Sequence, residues 1–338
     1  MFYVPVVNLK QEPLMPTTIL RARRWVISGK ATYFYKKGIY CVRLNQESSD
    51  NKKQEIAVGV DPGSKREAFT VKSELHTYLN IQTKTVDWVK DAVESRHNAR
   101  RCRRQRNTPC RKPRFYRSKK SFLAPSTKAR WQWKLRILNW LKKLFPITYI
   151  IVEDIKAKTL KGKKKWNKSF SPLEVGKNWF YSQLENLDTK QGYETKELRD
   201  NAGLTKLKEK LSNKFEAHCV DSWVLANWKV GGHTIPDNKA ILYITPLQFH
   251  RRQLHMFQPA KDGIRKTYGR TRSLGFTRGS IAKHNKFGVT YIGGSSNGRV
   301  SLHNLSNGKR LTQKAKIGDI KFLTYNSWRT GDIVYSQI

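Results

Sequence analysis

A mixed α/β fold is predicted by three observations. Two short apolar runs, EIAVGV (55–60) and ITYIIV (147–152), each lead into an acid, the pattern of strands buried on both faces beneath helices. KFEAHCVDSWVLANW (214–228) and TKARWQWKLRILNWLKKLF (127–145) repeat apolar side chains at helical spacing. Beyond residue 235 the pattern becomes short strands with Gly and Asn turns, as in FGVTYIGGSSNGRVSLHNLSNGKRL (287–311).

In chain order, residues 1–54 form a small leading unit. MFYVPVVN (1–8) and KATYFYKKGIYCVRL (30–44) read as strands around a turn framed by Pro13 and Pro16, and Thr17 or Thr18 can cap a short helix. NQESSDNKKQ (45–54) is a polar linker. Residues 55–94 carry the strand into Asp61, a PGSKR turn, two meander strands, EAFTVKS and HTYLNIQTKTV, and the start of a helix. Residues 95–125 turn that helix intensely basic and end in a Pro-broken basic loop. Residues 126–235 hold the amphipathic helix, the strand into Glu153, a Lys-rich loop at 156–171, weaker helical signals around 172–187 and 203–213, and a helix at 216–228. In that last helix Val220, Val224 and Trp228 form the apolar arc, with His218 and Asp221 at its edge. Residues 236–338 form a separate β-rich module.

Charge narrows the partners. Sixty-seven Lys and Arg against 25 Asp and Glu give a net +42, self-repulsion that a polyanion is expected to neutralise. Nucleic acid fits this better than an anionic membrane, because the basic residues are spread along a chain carrying ten Trp instead of lining one amphipathic helix. No signal-like opening and no run of about eighteen apolar residues is present. Cys41, Cys102, Cys110 and Cys219 lack a CxxC pair, which argues against a disulfide framework or a four-ligand zinc site. The expected location is a reducing cytoplasm.

The acids Asp61 and Glu153 each end a buried strand. If those strands are neighbours, the two carboxylates emerge together at one sheet edge, and their repulsion is relieved by a shared proton or a divalent cation. Asp154 competes with Glu153, but side chains alternate along a strand, so only one of them shares Asp61's face. Asp221 is the natural third ligand, and three carboxylates can hold two Mg²⁺ ions for phosphodiester chemistry. His218, one turn before Asp221, can orient water, bond the scissile phosphate or move a proton. Taken singly, an acid before Pro-Gly is a turn former and a lone histidine is a satisfied interior group.

SRHNARRCRRQR (95–106) places Arg96, Arg100 and Arg104 at four-residue spacing, with Arg101, Arg103 and Arg106 on other faces. No acid follows Glu94 until Glu153, so this helix repels itself unless phosphates surround it. Trp140 is expected in the core, while Trp131 and Trp133 are either core residues or base-stacking platforms.

Five segments in this order resemble the IsrB branch of the transposon-encoded IscB group, RNA-guided nucleases related to the ancestry of the CRISPR effector with RuvC and HNH domains. EPLMP (12–16) is similar to the motif that names the family's N-terminal domain, and GVDPGSK (59–65) resembles the first RuvC segment. ARRCRRQR (99–106) resembles the arginine-rich bridge helix, IIVED (150–154) the second RuvC segment and AHCVDSW (217–223) the third. The resemblance implies an RNase H-like core with metal-binding acids at Asp61, Glu153 and Asp221, and the catalytic histidine at His218. It implies two Mg²⁺ ions, replaceable by Mn²⁺, and a long structured guide RNA of the omega type bound by a monomeric protein. It further implies double-stranded target DNA with a short flanking motif, contacted through the C-terminal module.

The larger relatives carry an HNH nuclease between the second and third RuvC segments. Here no histidine occurs between His97 and His218, and positions 154–220, 67 residues, separate Glu153 from Asp221. A single active site is expected, and with it nicking of the displaced strand. A guide-independent, structure-specific resolvase and a non-cleaving RNA chaperone or RNA-guided binder are the rival readings.

Overall fold

The computed structural model describes residues 3–47, 53–105, 123–156, 171–209, 211–233, 235–247, 257–258, 263–264 and 272–334. The basic loop after residue 105, most of the Lys-rich loop and Arg106 lie outside the described residues.

The leading unit is a four-stranded sheet, ordered β2-β1-β4-β3, from β1 (Tyr3–Val7), β2 (Pro13–Thr18), β3 (Ala31–Lys36) and β4 (Ile39–Leu44). α1 (Ile19–Ile27) packs on it, and Thr18 provides the cap, its Oγ1 accepting from Arg21 N at 3.4 Å. The stretch read as a Pro-framed turn is instead the edge strand β2, where the missing proline N–H costs no ladder bond. The β3–β4 turn uses left-handed Lys37 and Gly38 (φ 54° and 94°), the backbone twist of a two-residue hairpin.

The central sheet has seven strands: β5 (Ile56–Asp61), β6 (Arg66–Ser73), β7 (Thr77–Lys84), β8 (Tyr149–Asp154), β9 (Leu187–Gln191), β10 (Ile241–Pro246) and β20 (Trp328–Val334), ordered β20-β10-β7-β6-β5-β8-β9. β5, β6 and β7 are an antiparallel meander, β8 runs parallel to β5, and β9 runs parallel to β8. Counted from β5 these five strands have the order 3-2-1-4-5, the RNase H-like arrangement. β9 and the helix after it, α5 (Gly192–Asn201), were not legible: LDTKQ is a polar edge strand, and GYETKELRDN lacks an apolar stripe. The weak helical signal at 203–213 is instead irregular at its described residues, 203–209 and 211–213.

Helices cover both faces. Ile56, Val58 and Val60 of β5, with Ile150 and Val152 of β8, pack in one core with Trp131, Trp133, Ile137, Leu138, Trp140 and Leu141 of α3 (Pro125–Leu141). All three tryptophans are buried, so Trp131 and Trp133 are core residues and not stacking platforms. On the other face Ala57 and Ile151 meet Leu225 and Ala226 of α6 (Phe215–Val230). α6 approaches so closely that a Cβ on Gly59 would lie 1.8 Å from the Ser222 carbonyl oxygen. It is buried on every side from Ala217 to Ala226, with Leu198 and Leu204 closing over it. Trp228 is the exception to the expected arc: it is 41 % exposed, with Lys190 Nζ 4.1 Å from its ring centre.

α2 (Trp88–Gln105) lies against α3 with none of its described side chains buried, and α4 (Pro172–Tyr181) packs on the N-terminal half of α3, where Phe180 meets Trp131. Two short ribbons, β11 (Phe257–Gln258) with β12 (Gly263–Ile264) and β13 (Arg272–Ser273) with β14 (Phe276–Thr277), precede a five-stranded antiparallel sheet. That sheet comprises β15 (Ser280–His284), β16 (Gly288–Ser296), β17 (Arg299–Asn304), β18 (Arg310–Ala315) and β19 (Ile320–Tyr325). The region from 236 onward is thus strand-rich, yet its first and last strands, β10 and β20, extend the central sheet. Among the described residues no helix is long and apolar enough to cross a membrane.

Candidate metal centre

Alternation along β8 decides which acids meet. Ile151 shares the α6 face with Ala57, so Glu153, two residues on, belongs to that face and Asp154 to the other. Val60 pairs with Val152, which brings Asp61 and Glu153 level at the ends of neighbouring parallel strands. Each carboxyl shifts the titration of the other. Asp154 is held away from them, ion-paired with Lys177 at 2.8 Å and accepting from Tyr181 Oη at 3.1 Å and Gln191 Nε2 at 2.7 Å.

α6 brings the remaining two groups, because Gly59 lets it sit on the sheet. His218 Nδ1–H donates to Asp61 Oδ2 at 3.1 Å, a direction set by the carboxylate, which can only accept. Asp221, 1 % exposed, is ion-paired with Arg199 Nη1 of α5 at 2.5 Å and with Lys206 Nζ from the segment between α5 and α6.

The electrostatics separate the two strand-end acids. Burial pushes Asp61 upward, but the His218 hydrogen bond and the Lys206 charge outweigh it and hold the carboxylate below its usual range. At Glu153, burial and the negative charges of Asp61 and Asp221 push the carboxyl up to about 8. The two carboxyls are thus pushed in opposite directions, Glu153 toward its protonated form and Asp61 toward its ionised form, as mutual repulsion requires. Burial works against the charge of Lys206, yet Asp61 and Asp221 win and raise its ammonium above its usual value. An all-oxygen set with up to three negative charges fits a hard divalent cation.

Of the residues expected from sequence, His218 contacts Asp61, Glu153 lies level with Asp61 on the neighbouring strand, and Asp221 faces them across Lys206. Sequence reading missed Arg199 and Lys206, which lie in TKELRDNAGLTKLKEKL (195–211), where Lys and Glu mix as on any solvated face. The basic helix stands apart from this cluster. Arg96, Arg100, Arg101 and Arg104 are exposed, and among the described residues no ion pair engages them. Arg103 lies on the same helix. Among the described residues, Cys41, Cys102 and Cys219 are free thiols.

No curated protein matches the chain in sequence. Among solved structures, "T. thermophilus RuvC in complex with Holliday junction substrate" overlaps 53 % of this chain and 97 % of its own, at 14 % identity and a TM-score of 0.26. The segment Arg100–Arg104 reads RRCRR and falls inside a region that matches a family model. Residues 4–168, spanning the leading unit, β5 to β8 and the basic helix, match the family model described as "RRXRR protein", and this part of the chain is similar to that family.

Proposed function

We propose that the chain is a guide-RNA-directed DNA endonuclease that nicks the displaced, non-target strand at a single RuvC-type site of Asp61, Glu153, His218 and Asp221. The observation that carries this reading is the convergence of three acids from distant segments around Lys206, whose ammonium feels the charge of all three, in a chain of net charge +42. Buried acids repel one another when crowded together, whereas a metal-dependent nuclease needs them together.

Asp61, Glu153 and Asp221 would hold two Mg²⁺ ions, or Mn²⁺, which supply an activated water and stabilise the leaving 3′ oxygen. His218, hydrogen-bonded through Nδ1 to Asp61, would stand beside the reacting phosphodiester and assist proton transfer there. Arg199 and Lys206 neutralise Asp221 and keep positive charge beside the place a phosphodiester must occupy. The exposed arginines of α2 bind RNA phosphates, since a helix basic on several faces is stable only when anions surround it. In this reading base pairing to a long guide RNA selects the target, and the protein, a monomer within the ribonucleoprotein, reads backbone shape and a short flanking motif. The leading unit and the β-rich C-terminal region then hold the RNA scaffold and the flanking DNA.

The test is to purify the protein with its RNA, sequence that RNA, and offer a matching supercoiled plasmid with Mg²⁺. One long structured RNA and an open-circle product are expected. Random cellular RNA, or cleavage of branched DNA by RNA-free protein, would instead favour a guide-independent nuclease.

A further inference from the structure

At the end of the central sheet away from Asp61, the turn between β6 and β7 meets the segment that follows α6. Asp61 closes β5, whereas Ser73, at the start of this turn, pairs with Ile56, five residues or about 17 Å along the strand. Three groups converge at the turn: His76 from the turn itself, and His233 and Asp237 from the segment after α6. One ligand atom from each lies within 4.8 Å of the others.

We propose that His76, His233 and Asp237 form a second metal site, of the zinc class, that clips the β6–β7 turn to the end of α6. Two imidazoles and one carboxylate are the nitrogen and oxygen donors of three-ligand zinc sites, whose fourth position water fills. The spacing suits this use. His76 Nδ1 and Asp237 Oδ2 are 3.6 Å apart, too long for a hydrogen bond and near the roughly 3.4 Å between two ligands of a tetrahedral zinc.

The surroundings are those of prepared ligands. Metal-bound histidine commonly donates its other ring N–H to a backbone carbonyl, and ligating carboxylates are themselves hydrogen-bonded. His233 Nε2 donates to Leu75 O at 2.6 Å, the kind of backbone bond that fixes the tautomer of a ligating histidine. Asp237 accepts from Thr77 N through both oxygens, at 3.0 and 3.2 Å. The His76 ring packs on Tyr3, centroids 4.9 Å apart.

The two segments are also locked together without any metal. Lys72 Nζ donates to Glu74 O at 3.3 Å and to Gly231 O at 2.8 Å, tying turn to segment. Gly232, at φ 98°, passes so near that a Cβ would lie 1.9 Å from Glu74 O. The ligands are therefore presented on a fixed frame, which lowers the cost of ordering them around a cation. The clip would hold the C-terminal end of the helix that carries His218 and Asp221.

Zinc binding by full-length, chelator-treated protein tests this by competition with a chromogenic chelator, backed by Co²⁺ absorption and melting temperature. Wild type and Asp61→Asn are expected to bind one tight Zn²⁺, with a tetrahedral Co²⁺ spectrum and a raised melting temperature. His233→Ala, at an exposed position, and His76→Ala should each weaken binding at least about tenfold and abolish the zinc-dependent rise. The proposal is overturned if wild type binds no tight zinc, if His233→Ala binds as wild type does, or if Asp61→Asn alone removes the site. None of these outcomes depends on the nuclease assignment.

Discussion

Gly59 of β5 and Ser222 of α6 are in backbone contact: a Cβ at residue 59 would sit 1.8 Å from the Ser222 carbonyl oxygen and 2.9 Å from Ala226 N. Both obstacles are backbone, so neither can rotate away. Gly59→Ala must push α6 off the sheet, costing about 1 to 3 kcal/mol by overpacking. It should also move Asp221 and His218 away from Asp61 and abolish cleavage. Denaturant midpoint and cleavage rate check this, and a variant equal to wild type in both would contradict it.

The proton held at Glu153 sets a pH dependence. The carboxyl titrates near 8 in the metal-free fold against 4.5 ordinarily, so between those values the folded state keeps a proton that the unfolded chain has lost. This group's contribution to metal-free stability therefore falls as pH rises through that window. Cation binding needs the ionised form and must expel the proton. Mn²⁺ affinity should rise up to about tenfold per pH unit below 8 and level off above it. Titration calorimetry at pH 6 to 9, in buffers of different ionisation enthalpy, measures both affinity and proton release; equal affinity across that range would contradict the account.

Lys206 is the internal cation of the cluster. A charge pair 4 Å apart is worth about 4 kcal/mol at an effective dielectric of 20, and Lys206 is 35 % exposed, which reduces it. Lys206→Ala should tighten Mn²⁺ binding by about tenfold, or ~1.4 kcal/mol, and destabilise the metal-free protein. Weaker Mn²⁺ binding in the variant would show that Lys206 is not competing for the site.

The arginines of α2 should act through phosphate alone. Replacing Arg100, Arg101 and Arg104 with alanine should weaken RNA binding and flatten its salt dependence by about 2 to 3 units in log–log slope. Metal affinity at the carboxylate cluster should not change. An unaltered salt slope would remove these residues from the RNA interface.

How much was legible in sequence follows from how local the signals are. Asp61 and Glu153 could be found because each ends a short apolar strand; alternation allowed only one of Glu153 and Asp154 on Asp61's face, the family resemblance pointed to Glu153, and Asp154 is engaged elsewhere by Lys177 and Tyr181. His218 and Asp221 could be found because a polar pair inside an apolar helix is costly without a purpose. Arg199 and Lys206 could not, since only the packing of α5 and the segment after it against α6 makes them different from neighbouring Lys and Glu. β2, β9 and the joining of β10 and β20 to the central sheet were hidden for a related reason: edge strands carry prolines and polar residues, and sheet partners far apart in sequence leave no local trace. Trp228 misled through its helical spacing, because α6 extends beyond its cover before Gly231 ends it.

The most direct test of the central claim compares wild type with Asp61→Ala, each loaded with the same guide RNA, on supercoiled target with Mg²⁺. The wild type should yield open circle cut on the displaced strand, and Asp61→Ala should yield none while binding the RNA as tightly. Linear product from the wild type, or undiminished nicking by Asp61→Ala, would contradict a single site built on Asp61, Glu153 and Asp221.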